Sequence, residues 1–286
     1  MKAGFVVLVG RSNVGKSTLL NSLVGAKVAI TSDKPQTTRF PIHGVIHEAR
    51  GEIVFVDTPG VFEKPRDRVT RALNEHARAA LEGIDALVYV ADPTRYIGEE
   101  EETILKLVRP LTIPKILAIN KIDSPKAAHL DDYRKLAPQF LTTIEISATH
   151  GTHLKKLVAA IFEHLPEGAP TYSEFQRTNT ETRLWVSEVI REKVFLQMEK
   201  EIPYGVAVEV KEMEEREKKT GERVLYIAAE ILTTHPNHKK MLIGKEGRKI
   251  KELGEAARKE LELALQSKVF LDLEVVVDPR WPARLL

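Results

Sequence analysis

The chain has 286 residues, more than one typical domain holds, and 43% of them are hydrophobic, which is enough for packed cores. Charged residues make up 29% and the formal net charge is only +2, so any surface that binds nucleic acid must be local. There is no cysteine, which excludes disulfides and cysteine-ligated metals and agrees with a reducing cytoplasm, and no apolar run reaches the roughly 20 residues of a membrane span.

Short apolar runs alternate with helical patterns over the first 165 residues, which predicts an α/β domain with a mostly parallel sheet between helices. The expected strands span residues 5–9, 53–56, 86–91, 115–119 and 143–146. A further strand at 42–48 is expected at an antiparallel edge beside the second of these. Because ligands bind outside the carboxyl ends of the strands in such sheets, motifs that follow the strands should form one site.

Residues 10–18 have the sequence GRSNVGKST between a predicted strand and a predicted helix, which is the context of a phosphate-binding loop. Gly10 and Gly15 allow the backbone to turn its N–H groups toward phosphates. Lys16 should bridge the β- and γ-phosphates, and Ser17 should ligate Mg²⁺. Nucleotide binding is therefore predicted for Gly10, Arg11, Ser12, Asn13, Val14, Gly15, Lys16, Ser17 and Thr18.

The sequence DTPG at residues 57–60 follows the next strand and is expected to contact the metal and the γ-phosphate. Asp57 is placed to hold Mg²⁺ through its water shell, and the Gly60 N–H can donate to the γ-phosphate. In the polar segment before it, Thr38 is the predicted switch threonine, with Thr37 as the alternative. We thus assign catalysis to Lys16, Thr38 and Gly60, the metal to Ser17, Thr38 and Asp57, and further nucleotide contacts to Thr58 and Pro59.

Residues 120–123 have the sequence NKID, which predicts that the site selects guanine over adenine. The Asp123 carboxylate can accept two parallel hydrogen bonds from the ring N–H and exocyclic amine of guanine, whereas adenine offers no such pair there. An unpaired buried polar group costs roughly 1 to 3 kcal/mol or more, which gives the discrimination. Backbone of the Ser147-Ala148 pair is expected to contact guanine O6. The predicted cofactors are GTP or GDP with Mg²⁺, and the base-side residues are Asn120, Lys121, Asp123, Ser147 and Ala148.

Val61 follows Gly60, at a position where many small GTPases carry a glutamine that orients the attacking water. A valine side chain cannot form that hydrogen bond, so we expect slow intrinsic hydrolysis or a water held by another group. Asn13 is a candidate ligand for K⁺ lying against the phosphates. The alternative is that Asn13 only stabilises the turn of the loop.

Residues 166–180 lose apolar periodicity and gather Pro, Gly, Ser and Thr, which predicts a linker between a domain at 1–165 and a domain at 181–286. The second domain has an α+β pattern of helix, two strands, two helices and strand. Its last helix should bury Ile250, Leu253, Ala257, Leu261 and Ala264.

A Gly-x-x-Gly turn at 244–247 is expected to bind RNA, because its glycines allow close approach of backbone N–H groups to a nucleic-acid backbone. Residues 238–251 contain six Lys or Arg against one Glu, although residues 181–286 contain 20 of each sign. The alternative is a helix cap followed by a solvated helix. The predicted RNA face comprises Lys239, Lys240, Ile243, Gly244, Lys245, Gly247, Arg248, Lys249 and Lys251.

Taken together, GRSNVGKST, TTR, DTPG, NKID and SA, followed by IGKEGRKIK in a second domain, resemble the bacterial Era GTPases over nearly the whole chain. The resemblance implies a P-loop GTPase domain and a type II KH domain that binds the 3′ end of small-subunit ribosomal RNA during maturation of the 30S particle. It also implies GTP-controlled domain rearrangement and loose attachment to the inner membrane. Ser12 departs from the proline usual in the family, which should loosen the loop but removes no phosphate ligand.

We expect a monomer. Two other functions stay open from the residues alone. One is a GTPase acting in tRNA modification or at membranes, with the C-terminal domain as a protein-binding module. The other is a simple RNA chaperone in which the first domain has only a structural, packing role.

Overall fold

The computed structural model describes residues 1–60, 68–217 and 220–285. Val61, which carries the expectation of slow hydrolysis, lies outside these residues. Contacts divide the chain into two compact units, Met1–Asn179 and Thr180–Leu286. Within the described ranges, no helix combines the length and the apolar character that crossing a membrane requires.

The first unit is built on one six-stranded sheet. Its strands are β1 Lys2–Val9, β2 Ile42–Glu48, β3 Gly51–Asp57, β4 Ala86–Ala91, β5 Lys115–Ile119 and β6 Thr142–Glu145. Their order is β2-β3-β1-β4-β5-β6, and only the pairing of β2 with β3 is antiparallel. The helices are α1 Lys16–Val24, α2 Arg68–Ala79, α3 Glu99–Val108, α4 Leu130–Arg134 and α5 Leu154–His164.

Alternate residues of the central strands enter two hydrophobic clusters on opposite faces of the sheet. Val6 and Leu8 pack in a cluster with residues of α1 and α5, whereas Val7 and Val9 pack with residues of α3. Strands that are buried on both faces must be apolar on both, which explains the continuous apolar runs in the sequence. The carboxyl ends of β1, β3 and β5 therefore meet at one edge, where the motifs follow.

Residues 166–179, predicted as part of a linker, lie within the first unit and are hydrogen-bonded to its strands β2 and β3. The Val45 N–H donates to the Arg177 carbonyl at 2.8 Å. The buried Glu52 carboxylate accepts the N–H groups of Thr171 at 2.7 Å and Tyr172 at 3.0 Å. Hydrogen bonds of its backbone attach this segment to the sheet, and they need no repeat of apolar residues. The composition of the segment therefore did not predict the attachment.

The second unit has three strands covered by helices on one face. Its elements are α6 Thr182–Gln197, β7 Val206–Glu217, β8 Arg223–Thr233, α7 Pro236–Ile243, α8 Arg248–Leu265 and β9 Val269–Val277. The sheet order is β7-β8-β9, with β7 antiparallel and β9 parallel to β8. Its inner face packs on α6 and α8, as in the cluster of Ile227 and Ile231 with Ile190 and Leu261. The predicted α+β order is confirmed.

Helix α8 buries Leu253, Ala257 and Leu261, as its spacing predicted. Ala264, predicted on the same face, is exposed, and Leu265 is partly buried against the core instead. Both positions lie about one turn beyond Leu261, and the larger side chain gains more from burial.

Candidate functional site

The phosphate-binding loop between β1 and α1 requires glycine at two positions. Gly15 has a φ of 97°, and a Cβ there would lie 2.5 Å from Asn120 Nδ2. A Cβ on Gly10 would lie 2.3 Å from the Val90 carbonyl oxygen. Gly15 thus provides a left-handed turn, and both residues let the loop pass close to neighbouring elements.

Lys16 begins α1 with its ammonium group inside the loop. Lys16 Nζ donates to the carbonyl oxygens of Gly10 at 3.0 Å and Arg11 at 2.9 Å. Burial lowers the pKa of the ammonium, while the charge of Asp57 acts in the opposite direction. An ammonium has three donors, so one remains for a ligand oxygen, and an anionic phosphate would compensate the desolvated charge.

Three oxygen-bearing side chains from separate elements converge beside Lys16. Ser17 Oγ donates to Asp57 Oδ2 at 2.5 Å, and Thr38 Oγ1 lies 2.9 Å from Ser17 Oγ and 3.3 Å from Asp57 Oδ2. Burial raises the pKa of the Asp57 carboxyl, whose Oδ1 has no hydrogen-bond partner among the described residues. Oxygen donors around a buried carboxylate suit Mg²⁺, which would hold Asp57 in its ionised form.

The two adjacent threonines point to different partners. Thr37 Oγ1 donates to the Lys34 carbonyl at 2.7 Å and lies 2.6 Å from Ser32 Oγ. Thr38 lies within hydrogen-bond distance of both Ser17 and Asp57. This geometry favours Thr38 as the switch threonine.

Lys16, Ser17 and Thr38 line a cleft of about 330 Å³. Residues predicted from the sequence that line it are Ser12, Asn13, Gly15, Lys16, Ser17, Thr18, Thr38, Thr58, Gly60 and Lys121. The wall is completed by Thr37, the alternative switch threonine, and by residues to which no role was assigned from the sequence, namely Ile30, Thr31, Ser32, Asp33 and Gln36. They belong to the polar segment before Thr38, whose composition indicated a loop but not which residues turn inward.

Nine residues predicted to bind nucleotide do not line this cleft: Gly10, Arg11, Val14, Asp57, Pro59, Asn120, Asp123, Ser147 and Ala148. The side chains of two of them are buried elsewhere in the unit. Val14 is fully buried in the core and offers only its backbone. Arg11 forms a buried ion pair with Glu101, in which Nε and Oε2 are 2.6 Å apart, and donates from Nη2 to the Tyr133 hydroxyl at 2.8 Å. Tyr133 in turn donates to Glu101 at 2.7 Å. The arginine side chain therefore fixes the loop to α3 and α4.

Asn120 joins the base-side motifs to the phosphate loop. Its Nδ2 donates to the Val14 carbonyl at 2.8 Å, and its Oδ1 accepts the Ala148 N–H at 2.9 Å. The backbone of the Ser147-Ala148 pair was predicted to contact guanine O6, and the N–H of Ala148 donates to Asn120 in this structure. Lys121 Nζ donates to the Asn13 carbonyl at 2.7 Å and pairs with Asp92 Oδ2 at 2.6 Å. Asn120 and Lys121 thus position the loop.

Asp123, which follows Asn120 and Lys121 in the NKID motif, presents an exposed carboxylate. A hydrogen bond from Ser147 lowers the pKa of the carboxyl, so it is ionised at neutral pH. His150 Nδ1 lies 3.4 Å from Asp123 Oδ2 and 3.1 Å from Ser147 Oγ. An ionised carboxylate can accept both donors of a guanine edge. His150 had no motif to identify it.

The Gly-x-x-Gly turn lies between α7 and α8. Gly244 caps α7 by donating to the Lys240 carbonyl at 2.9 Å, and a Cβ on it would lie 2.7 Å from the Cβ of Lys249. Gly247 has a φ of 73° and open space around it. Exposed cations surround the turn at Lys240, Lys245, Arg248 and Lys251, while Lys239, Ile243 and Lys249 are partly buried.

Comparison with known proteins decides the family. A model described as 50S ribosome-binding GTPase matches residues 5–121, and a KH domain model matches residues 201–281. GTPase Era of Halothermothrix orenii is 43% identical over 282 residues, which cover 98% of this chain and 94% of that protein. The chain belongs to the Era family of GTPases. The resemblance inferred from the motifs and the predicted P-loop and KH fold are therefore confirmed.

Other Era proteins match over the same length. GTPase Era of Carboxydothermus hydrogenoformans is 42% identical over 287 residues, covering 98% of this chain and 94% of its own. A crystal structure of Era in complex with MgGDPNP and nucleotides 1506–1542 of 16S ribosomal RNA has a TM-score of 0.92 and 38% identity, covering 99% of this chain and 96% of that one. An Aquifex aeolicus Era variant bound to GDP·AlF₄⁻ has a TM-score of 0.91 at the same identity and coverage. As an Era family member, the chain is a GTPase.

Proposed function

We propose that the chain is a GTP-hydrolysing switch that binds the 3′ end of small-subunit ribosomal RNA through its KH domain and assists assembly of the 30S particle. The observation that carries the proposal is the convergence of Ser17, Thr38 and Asp57 beside Lys16, on a chain that also presents a basic Gly-x-x-Gly turn. Support comes from the solved Era of the same architecture, which is in complex with MgGDPNP and 16S ribosomal RNA.

In the nucleotide half of this function, Lys16 would contact the β- and γ-phosphates, and Asp123 would accept the guanine edge. Ser17, Thr38 and Asp57 would hold Mg²⁺, which supplies charge neutralisation on the phosphate oxygens. Thr38 and the Gly60 N–H would both be drawn toward a γ-phosphate. When the γ-phosphate leaves, these contacts are lost and the segments that carry them relax.

In the RNA half, the exposed cations around residues 244–247 would bind phosphates while the turn approaches the backbone. Such contacts release counterions, so affinity should fall steeply with salt. The partner is the ribosomal RNA of the 30S particle, and we propose that the protein acts as a monomer in the cytoplasm. Loose peripheral contact with the inner membrane, proposed from the family resemblance, would be an addition to that role.

Replacement of Gly247 by aspartate should weaken RNA binding about tenfold or more, because it sets a negative charge among the cations of the turn. Gly247 is the better site for this test because Gly244 has no room for a side chain. Aspartate tolerates a positive φ better than most residues. Filter binding of an RNA matching nucleotides 1506–1542 of 16S ribosomal RNA measures the effect.

Gly83→Asp is the matched control, because Gly83 has a φ of 68° and equally open surroundings in the first unit. It should leave RNA affinity unchanged. Equal affinity of both variants and the unaltered chain would favour the alternative in which the second domain binds protein.

Potassium should raise the GTP turnover number over sodium at equal ionic strength if Asn13 helps to hold K⁺ against the phosphates. Asn13 lines the cleft proposed for the nucleotide, and its Nδ2 donates to the Asp33 carbonyl. Asn13→Ala should abolish the difference between the salts. Identical phosphate-release rates in the two salts for the unaltered chain would contradict the K⁺ assignment and leave Asn13 as a loop-stabilising residue.

A further inference from the structure

The sheet of the second unit has a face turned away from α6 and α8, which we call the outer sheet face. The pleat places alternate residues of each strand on it. Its members are Glu209, Glu212, Glu214 and Arg216 of β7, Tyr226 and Glu230 of β8, and Phe270, Asp272 and Glu274 of β9. Inner-face residues such as Ile227 and Val275 pack in the core instead.

An aromatic stack crosses this face. Arg216 Cζ lies 3.4 Å from the centroid of the Tyr226 ring, and the Tyr226 and Phe270 rings are 5.8 Å apart at an interplanar angle of 14°. The register pairs Tyr226 with Phe270 on the neighbouring edge strand. Phe270 is 56% exposed, which is unusual for an aromatic side chain. The stack is thus occupied by a guanidinium at one end and exposed at the other.

Charges on the face are unevenly distributed. On the β7 side, Lys211 pairs with Glu209 at 2.8 Å and Glu230 at 3.0 Å, and Arg216 pairs with Glu214 at 2.6 Å. Arg284 also pairs with Glu209, at 3.0 Å. On β9, Asp272 and Glu274 are exposed and form no ion pair with any residue that the structure describes, although Asp272 accepts a hydrogen bond from the Tyr226 hydroxyl at 3.4 Å. The exposed end of the stack therefore lies beside two uncompensated carboxylates.

We propose that the outer sheet face binds an arginine-rich, extended segment of a protein partner. Phe270 would receive a guanidinium as Tyr226 receives Arg216, since arginine stacks on aromatic rings. Asp272 and Glu274 would each pair with further guanidinium groups, because alternate residues of an extended segment repeat at about the same 6.8 Å as alternate residues of β9.

The same charges argue against nucleic acid on this face. Phosphates would meet Asp272 and Glu274, and like charges in contact are repelled. Lysine-rich segments fit less well than arginine-rich ones because an ammonium is a strongly hydrated point charge without a planar surface. The surface is also separate from the basic turn at 244–247, since α8 packs on the inner sheet face. Binding there need not compete with RNA.

The test uses the full chain and a fluorescein-labelled peptide of four Arg-Ser repeats, with a Lys-Ser peptide of equal charge, measured by fluorescence anisotropy. Phe270→Ala and the double variant Asp272→Asn/Glu274→Gln should each weaken binding of the arginine peptide at least about tenfold. The lysine peptide should bind the unaltered chain at least about fivefold more weakly than the arginine peptide does. Its affinity should fall in the double variant but not in Phe270→Ala. Leu263→Ala, an 81% exposed apolar residue on α8, is the control and should change nothing.

Equal affinity for the two peptides, or an arginine affinity unchanged in both variants, would overturn the proposal. It would also be overturned if Phe270→Ala weakened binding of a single-stranded oligouridine but not of the arginine peptide, since the face would then stack bases. Thermal unfolding identifies any variant that is not folded. The double variant changes only exposed carboxylates and therefore tests the proposal even if Phe270→Ala is unstable.

Discussion

Replacement of Lys16 by alanine should lower GTP turnover by about 10²- to 10³-fold or more, because one donor aimed at developing phosphate charge in a desolvated site contributes on that scale. Lys16 is buried, and its ammonium donates to two carbonyls of the loop, so it is preorganised for an anion. Phosphate release at saturating GTP and Mg²⁺ measures the loss, and fluorescence binding of a GTP analogue separates affinity from turnover. The variant should still unfold cooperatively, since α1 packs through Leu19 and Leu20.

Lys115→Ala is a matched control for this change. Lys115 Nζ also donates to backbone carbonyls, at 3.0 Å from those of Arg109 and Leu111, but it does so away from the cleft. Its loss removes the same kind of contact without touching nucleotide. Turnover should therefore stay near that of the unaltered chain, and a Lys16→Ala variant that behaved like Lys115→Ala would remove Lys16 from the chemistry.

Asp123→Asn should weaken GTP binding by about 10²-fold, because a charged hydrogen-bond pair worth roughly 3 kcal/mol is replaced by a mismatch. An asparagine amide can still accept one hydrogen bond, but it presents its N–H₂ group toward the exocyclic amine of guanine. Xanthine carries a carbonyl oxygen at that position, so xanthosine triphosphate should bind the variant more tightly than GTP. Competition titrations against a fluorescent nucleotide give both affinities.

Asp131→Asn makes the same chemical change on α4, where the Asp131 side chain is 85% exposed and pairs only with Arg134 among the described residues. Asp131→Asn should change the affinity for neither GTP nor xanthosine triphosphate. If Asp123→Asn kept its preference for GTP over xanthosine triphosphate, base selection would have to come from another part of the site.

The sequence was most informative where a motif with a known chemical role directly follows a predicted strand. Motifs after β1, β3 and β5 had to meet at one edge of a parallel sheet, and Ser17, Asp57 and Asn120 do lie there. Their backbone contexts follow from local rules, such as the left-handed conformation of Gly15. The basic Gly-x-x-Gly turn could also be predicted from the sequence, because its two glycines and its cluster of cations are local features.

Contacts between residues far apart in the sequence could not be predicted. Glu101 is one of four consecutive glutamates at the start of α3, and no local pattern shows that it alone is buried with Arg11. His150 reaches Asp123 only through the fold of the loop after β6. Residues 166–179 form hydrogen bonds to β2 and β3 through backbone atoms and through the side chains of Tyr172 and Asn179, and composition does not show which of these pairs form. Contacts between distant residues depend on packing, which a single sequence leaves undetermined.

The attachment of residues 166–179 to β2 determines where the first unit can be cut. β2 is an edge strand, and an uncovered edge pairs readily with other chains. A fragment ending at residue 165 would lose the Arg177 carbonyl that accepts from Val45 and the two N–H donors that satisfy buried Glu52. We expect such a fragment to keep its nucleotide residues yet to aggregate more readily than a fragment that ends at Asn179, where the first unit ends.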